Sequence, residues 1–128
     1  MERKIITTAA ILGMIAIVLG AFGAHALKKV LSLEQVNTFE TGVKYQMYHA
    51  LLLLFVGTSK SISAKTQRAV YFLVVLGVLL FSGSIYLLAT NDLTTFDFKK
   101  IGFVTPIGGL LLIGTWLMVF IDFYKKKS

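Results

Sequence analysis

Residues 69 to 89 read AVYFLVVLGVLLFSGSIYLLA, a run without a single formal charge. A helix rising 1.5 Å per residue needs about 20 apolar residues to cross a bilayer, and this run supplies them. Working outward, Ile5 to Leu27 is a second such run, broken by nothing more polar than Thr7, Thr8 and His25. A third lies near Val104 to Phe123, and a shorter one between Val43 and Gly57. The sequence therefore predicts an all-α integral membrane protein, a single four-helix bundle with spans at 5–27, 43–57, 69–89 and 104–123.

Composition agrees. The chain of 128 residues is 56% apolar and 15% charged, with mean hydropathy +0.80. Soluble domains hold roughly 45–50% apolar residues, and small ones bury the least of their chain. The net charge of +7 is not laid out as a stripe for nucleic acid. Its cations sit in short clusters between apolar runs, as membrane proteins place them. Without cysteine there is no disulfide, thiolate metal site or thiol nucleophile.

The second span is short as a strictly apolar run, so its helix is expected to begin near residue 33. Ser32-Leu33-Glu34-Gln35 has the form of a capping box. Leu33, Val36, Phe39, Val43 and Met47 then recur at helical spacing, which predicts an interfacial amphipathic turn bending into the span at Gly42. Thr105 and Pro106 predict the cap and first position of the last helix. A cleaved signal is the competing reading of the N-terminus, with Ala24-His25-Ala26 as its site. The apolar run from 5 to 27 exceeds the 7–15 residues of a signal core and favours a retained span.

Four spans put both termini on one side, with Arg3, Lys4, Lys60, Lys65, Arg68 and Lys125 to Lys127. The opposite side holds Lys28, Lys29, Lys44, Lys99 and Lys100. The positive-inside rule then predicts cytoplasmic termini. Lys125 to Lys127 reads as an anchor on anionic lipid, worth up to about 1 kcal/mol per residue. Small residues at Ala16, Gly20 and Ala24, with Ala9 and Gly13, form a ridge for close helix contact. It serves packing within the chain or a homo-oligomer. Tyr71, Tyr86 and Tyr124 read as interfacial belts, and Phe96 and Phe98 as residues dipping into headgroups. Trp116 lies deeper and reads as packing, while Asp122 can pair with the terminal lysines.

Polar side chains inside a span are costly and point to function by default. Gly42, Tyr45, Gln46 and His49 share one helical face. If the first two helices are antiparallel neighbours, His25 and His49 come within about a turn of each other near the outer leaflet, with Glu40 close by. Structural hydrogen bonding across helices, a bis-histidine haem or metal site, and a headgroup or proton-handling site all fit this cluster. No Cys, Asp or further His stands at metal spacing, no nucleophile has a paired base, and no phosphate loop follows a strand. Neither a catalytic residue nor a cofactor is expected.

These segments also carry a resemblance. Leu19-Gly20-Ala21-Phe22-Gly23-Ala24-His25-Ala26-Leu27 and Phe39-Glu40-Thr41-Gly42-Val43-Lys44-Tyr45-Gln46-Met47-Tyr48-His49-Ala50-Leu51 resemble the leading signatures of the YgdD/YwdK-like small membrane proteins, known as domain of unknown function 423. Ser82-Gly83-Ser84-Ile85-Tyr86-Leu87 and Thr105-Pro106-Ile107-Gly108-Gly109 resemble the third and fourth. The resemblance implies a four-span protein of the bacterial inner membrane with no established activity, cofactor or catalytic residue. A binding or accessory protein acting on lipid or a partner through the polar cluster is the leading expectation. A small oligomeric transporter or channel, and a bis-histidine redox protein, are the alternatives.

Overall fold

Apolar runs long enough to span a membrane satisfy their backbone groups internally by forming helices, and this chain does so throughout. The computed structural model describes residues 2–93, 95 and 97–125. The side chains of Ala24 and Phe98, and residues Phe96, Lys126 and Lys127, lie outside the described residues, and so do the expectations placed on them. The long helices are α1 (Glu2–Leu27), α2 (Leu33–Thr58), α3 (Ala64–Ala89) and α4 (Val104–Tyr124). Short 3-10 turns at Asn91–Leu93 and Phe98–Ile101 occupy the connection between α3 and α4. Among the described residues there is no strand.

By length and composition, α1, α3 and α4 can each cross a membrane. The fourth expected span, within α2, is not among them. Glu34, Glu40, Lys44, Gln46 and His49 lower the apolar content of that helix. Yet α2 has the same 26-residue length as α3 and lies between α1 and α3. Its start is fixed locally. The Ser32 Oγ accepts from Gln35 N at 3.1 Å, and the Gln35 Oε1 accepts from Ser32 N at 2.9 Å. No boundary separates the amphipathic segment from the rest of α2: Val36 and Phe39 are buried, Leu33 is exposed, and the helix runs on through Gly42.

Packing follows chain order, α1 on α2, α2 on α3 and α3 on α4, while α1 and α4 share no comparable face among the described residues. With no hydrophobic drive inside lipid, close approach carries these contacts. A Cβ on Gly108 would lie 2.4 Å from the Phe81 nitrogen, and one on Gly57 would lie 2.9 Å from Ile5. Of the α1 ridge, Ala9 and Ala16 are buried, Gly20 faces Val43, and Gly13 faces Ala50. The loop between α2 and α3 is closed by buried Gln67, whose amide donates to Val56 O at 2.9 Å and Ser59 O at 3.3 Å. Those are carbonyls that the end of α2 leaves free.

Three local expectations are corrected. Helix α4 begins at Val104 without a side-chain cap, because Gly102 and Phe103 already have helical backbone. The Thr105 hydroxyl instead pairs with Ser84 across to α3. Tyr71 is buried, with its hydroxyl 3.3 Å from Thr8 Oγ1, and does not join an interfacial belt. Tyr86 likewise turns inward, as described below. Apart from these corrections, Asp122 Oδ1 accepts from Ser63 Oγ at 3.0 Å and Thr66 Oγ1 at 2.8 Å, which ties α4 to the first turn of α3.

One feature of α1 was not expected. Leu19–Gly23 is a π-helical turn between the α-helical segments Glu2–Val18 and Ala24–Leu27. Its two glycines face α2: a Cβ on Gly20 would lie 3.2 Å from Val43, and one on Gly23 would lie 3.4 Å from Phe39.

Candidate functional site

The antiparallel register of α1 and α2 decides which polar residues meet. Gly23 packs on Phe39, Gly20 on Val43, Gly13 on Ala50 and Gly57 on Ile5. His49 is thus level with Gly13, twelve residues before His25 (25 − 13), or about 18 Å along the axis. The expected meeting of His25 and His49 does not occur. Its physical cause is the register: Gly23 on Phe39 puts His25 beside the first turns of α2, and His49 lies ten residues further along (49 − 39). His25 is exposed near the end of α1, and Glu40 is half-buried toward that same end. The two imidazoles cannot bracket one iron. Among the described residues, no group of three His, Asp or Glu side chains is placed to hold a metal.

Gln46 and His49 are both buried and do different things. Gln46 joins three helices: its Nε2 donates to Leu12 O of α1 at 2.9 Å, and its Oε1 accepts from the Tyr86 hydroxyl of α3 at 2.6 Å. Beside it, Ser82 Oγ donates to Gly42 O at 2.8 Å, and the Tyr86 ring sits 5.0 Å from that of Phe39. A Cβ at residue 42 would come within 2.7 Å of the Tyr86 ring, so glycine is what lets α3 approach. This is a fully satisfied polar node of the kind that fixes helix order in lipid.

His49 looks the other way, toward α4. Its Nδ1 lies 2.7 Å from Tyr45 O, and its Nε2 accepts from the indole N–H of Trp116 at 3.1 Å. The two contacts select one neutral tautomer: Nδ1–H donating to the carbonyl, bare Nε2 receiving the indole. The rings meet edge to face at 6.1 Å and 75°. Nothing local in the sequence announces Trp116 as the partner of His49. The residues are 67 positions apart and meet only because long side chains of α2 and α4 reach across the space between these helices, as Phe55 and Phe123 do again.

Around this pair, α2 and α4 leave a groove of about 580 Å³ walled by Tyr45, Tyr48, His49, Leu51, Phe55 and Trp116. A second hollow of about 320 Å³ adjoins it, sharing Tyr45, His49 and Trp116 and closed by Phe81, Gly109 and Ile113. The Tyr45 ring leans on Tyr48 at 5.5 Å and on Phe81 at 5.0 Å. The walls are mostly apolar and aromatic with a few fixed polar groups, the composition of a small-molecule site. Of the five residues singled out from sequence, Tyr45 and His49 line this groove. Gln46 braces the helices behind it, and His25 and Glu40 stand apart.

Residues 19–109 match the family described as "Protein of unknown function (DUF423)". A UPF0382 membrane protein of Staphylococcus haemolyticus is 39% identical over 123 residues, covering 96% of this chain and 97% of its own. A UPF0382 membrane protein of Haemophilus influenzae is 35% identical over 128 residues, covering 100% and 99%. The UPF0382 inner membrane protein YgdD of Escherichia coli is 37% identical over 128 residues, covering 98% and 93%. No solved structure matches the chain.

Proposed function

Since the chain belongs to the DUF423 family, whose members named above are membrane proteins, we propose that this multi-pass protein binds a hydrophobic ligand in the α2–α4 groove without transforming it. In this reading it crosses the bilayer four times as a bundle, with both ends in the cytoplasm of a bacterial inner membrane. The least apolar helix, α2, is the one flanked by α1 and α3, and its Gln46 and His49 are bonded to neighbouring groups. That is how intramembrane polar residues are tolerated. Eight cations on the terminal side against five opposite support the orientation. A reporter fused after residue 128 that is active only in the cytoplasm should be active, and an inactive one would reverse the orientation.

The groove carries the ligand reading. It lies between α2 and α4, and with both helices spanning, as this reading has them, it opens to hydrocarbon, where a lipidic molecule is the available occupant. Native mass spectrometry from a gentle detergent is the test. The wild type should retain a defined lipidic mass, and Leu51→Trp, which fills the groove from an exposed position, should lose it. A bare wild type, or equal retention in both, would end the ligand reading.

A further inference from the structure

The start of α3 carries charge of the wrong sign for a helix. A helix N-terminus favours acids, yet α3 has none in its first turn, and Lys65 and Arg68 stand in its first two turns. Neither makes an ion pair among the described residues. The terminus itself is already served from within the chain: Ser63 Oγ accepts from Thr66 N at 3.2 Å, and Asp122 accepts from both hydroxyls. Beside the two cations lies an open hollow of about 550 Å³ lined by Ala64, Lys65, Arg68, Ala69 and Phe72, with no acid in its wall. The hollow near the other end of α3 has the opposite character, with Glu34 and Asp92 against Lys99.

The same face of α3 continues as an apolar stripe. Phe72, Leu76 and Leu79 follow Lys65 and Arg68 at steps of three and four, and all five are exposed. From Arg68 to Leu79 is about 16.5 Å (11 × 1.5), close to half of a hydrocarbon core about 30 Å thick, and so about one leaflet. Helix α3 is long and apolar enough to cross a membrane, and its charge-free run begins at Ala69, directly after Arg68. The two cations are therefore at headgroup level and the stripe beneath them at acyl-chain level.

We propose that this face of α3 binds an anionic phospholipid. The Arg68 guanidinium and the Lys65 ammonium take the phosphodiester, a charge-assisted pairing that suits both groups, and one acyl chain lies along Phe72, Leu76 and Leu79. A zwitterionic headgroup brings its own cation to the same place and loses the preference. A soluble phosphate lacks the chain. The site shares no residue with the α2–α4 groove and stands or falls separately from the occupant of that groove.

The full-length protein in a mild detergent is titrated with phosphatidylglycerol or with phosphatidylcholine of identical chains and read by native mass spectrometry. Phosphatidylglycerol should be retained about tenfold more tightly or better, as two basic residues beside an anionic lipid allow. Lys65→Gln/Arg68→Gln should abolish that preference with its melting temperature in phosphatidylcholine unchanged. Leu51→Trp, in the α2–α4 groove, and Lys28→Gln/Lys29→Gln, near the opposite end, should keep it. Glycerol 3-phosphate in excess should not displace the lipid. Equal retention of the two lipids by the wild type overturns the proposal, and so does a preference that survives the change at Lys65 and Arg68. Equal loss in the Lys28/Lys29 variant would mean diffuse attraction of charge, and loss in Leu51→Trp would put the lipid in the groove; either overturns it. Displacement by glycerol 3-phosphate rejects the lipid and leaves a site for phosphate alone.

Discussion

Replacing Gly108 by alanine should loosen the pairing of α3 and α4 more than the same change at either of two other glycines. A methyl group there would sit 2.4 Å from the Phe81 nitrogen and 2.7 Å from the Leu80 carbonyl carbon. Ordinary contact begins at 3.4 Å, so the deficit is 1.0 Å (3.4 − 2.4), and the obstacle is backbone that cannot rotate aside. The helices must separate by about 1 Å, a gap that forfeits a quarter to a half of each dispersion contact it opens. Overpacking costs typically 1–3 kcal/mol, and a backbone obstacle puts Gly108→Ala near about 3 kcal/mol. Gly77→Ala meets Leu112 Cδ2 at 2.6 Å, the end of a flexible side chain, and should cost about 1 kcal/mol. Gly114 has nothing within 4 Å, so alanine there should gain about 0.5–1 kcal/mol of helix stability. Equilibrium unfolding of the three variants in one mild detergent gives the order. Equal stability of Gly108→Ala and Gly114→Ala would show that the helices do not meet as described.

Gln46→Leu and Tyr86→Phe should be coupled in a double-mutant cycle by about 0.6–1.7 kcal/mol, the range of hydrogen bonds between membrane helices. Additivity would mean that their bond does not form. His49→Ala removes the acceptor of the Trp116 indole and should move its emission to shorter wavelength, while an unmoved spectrum would separate the two rings. Ser32→Ala deletes the side chain of the capping box and should cost about 1 kcal/mol, read as faster amide exchange in the first turn of α2. Unaltered exchange there would leave the cap without weight.

Signals confined to a few neighbouring residues were legible. The charge-free run at 69–89 is a helix, and Ser32-x-x-Gln35 closes its reciprocal cap, because both depend only on residues within reach along the chain. The start of α2 near residue 33 was legible as well, but its register against α1 was not: Gly23 on Phe39 and Gly13 on Ala50 place His49 opposite Gly13 and away from His25. Tyrosines at span ends resemble interfacial belts in any sequence. Whether their hydroxyls turn inward is decided by what the neighbouring helices offer, here Thr8 for Tyr71 and Gln46 for Tyr86. Thr105 and Pro106 formed a plausible start signal that helical backbone at Gly102 and Phe103 pre-empted. The His49–Trp116 pair left no trace in periodicity, since two helices that are not consecutive create it.

The π-helical turn at Leu19–Gly23 has a consequence for how this chain accommodates insertion and deletion. An i→i+5 turn holds one residue more than an α-turn while covering nearly the same length of axis. Removing a residue from an ordinary stretch of α1 would rotate everything beyond it by about 100° and carry the ridge off Val43 and Ala50. Removing one between 19 and 23 would instead convert the turn to regular α-helix, with the residues on either side still in phase. The first helix therefore holds a spare residue at one address, and length variation in this helix is absorbed there at the least cost to its contact with α2.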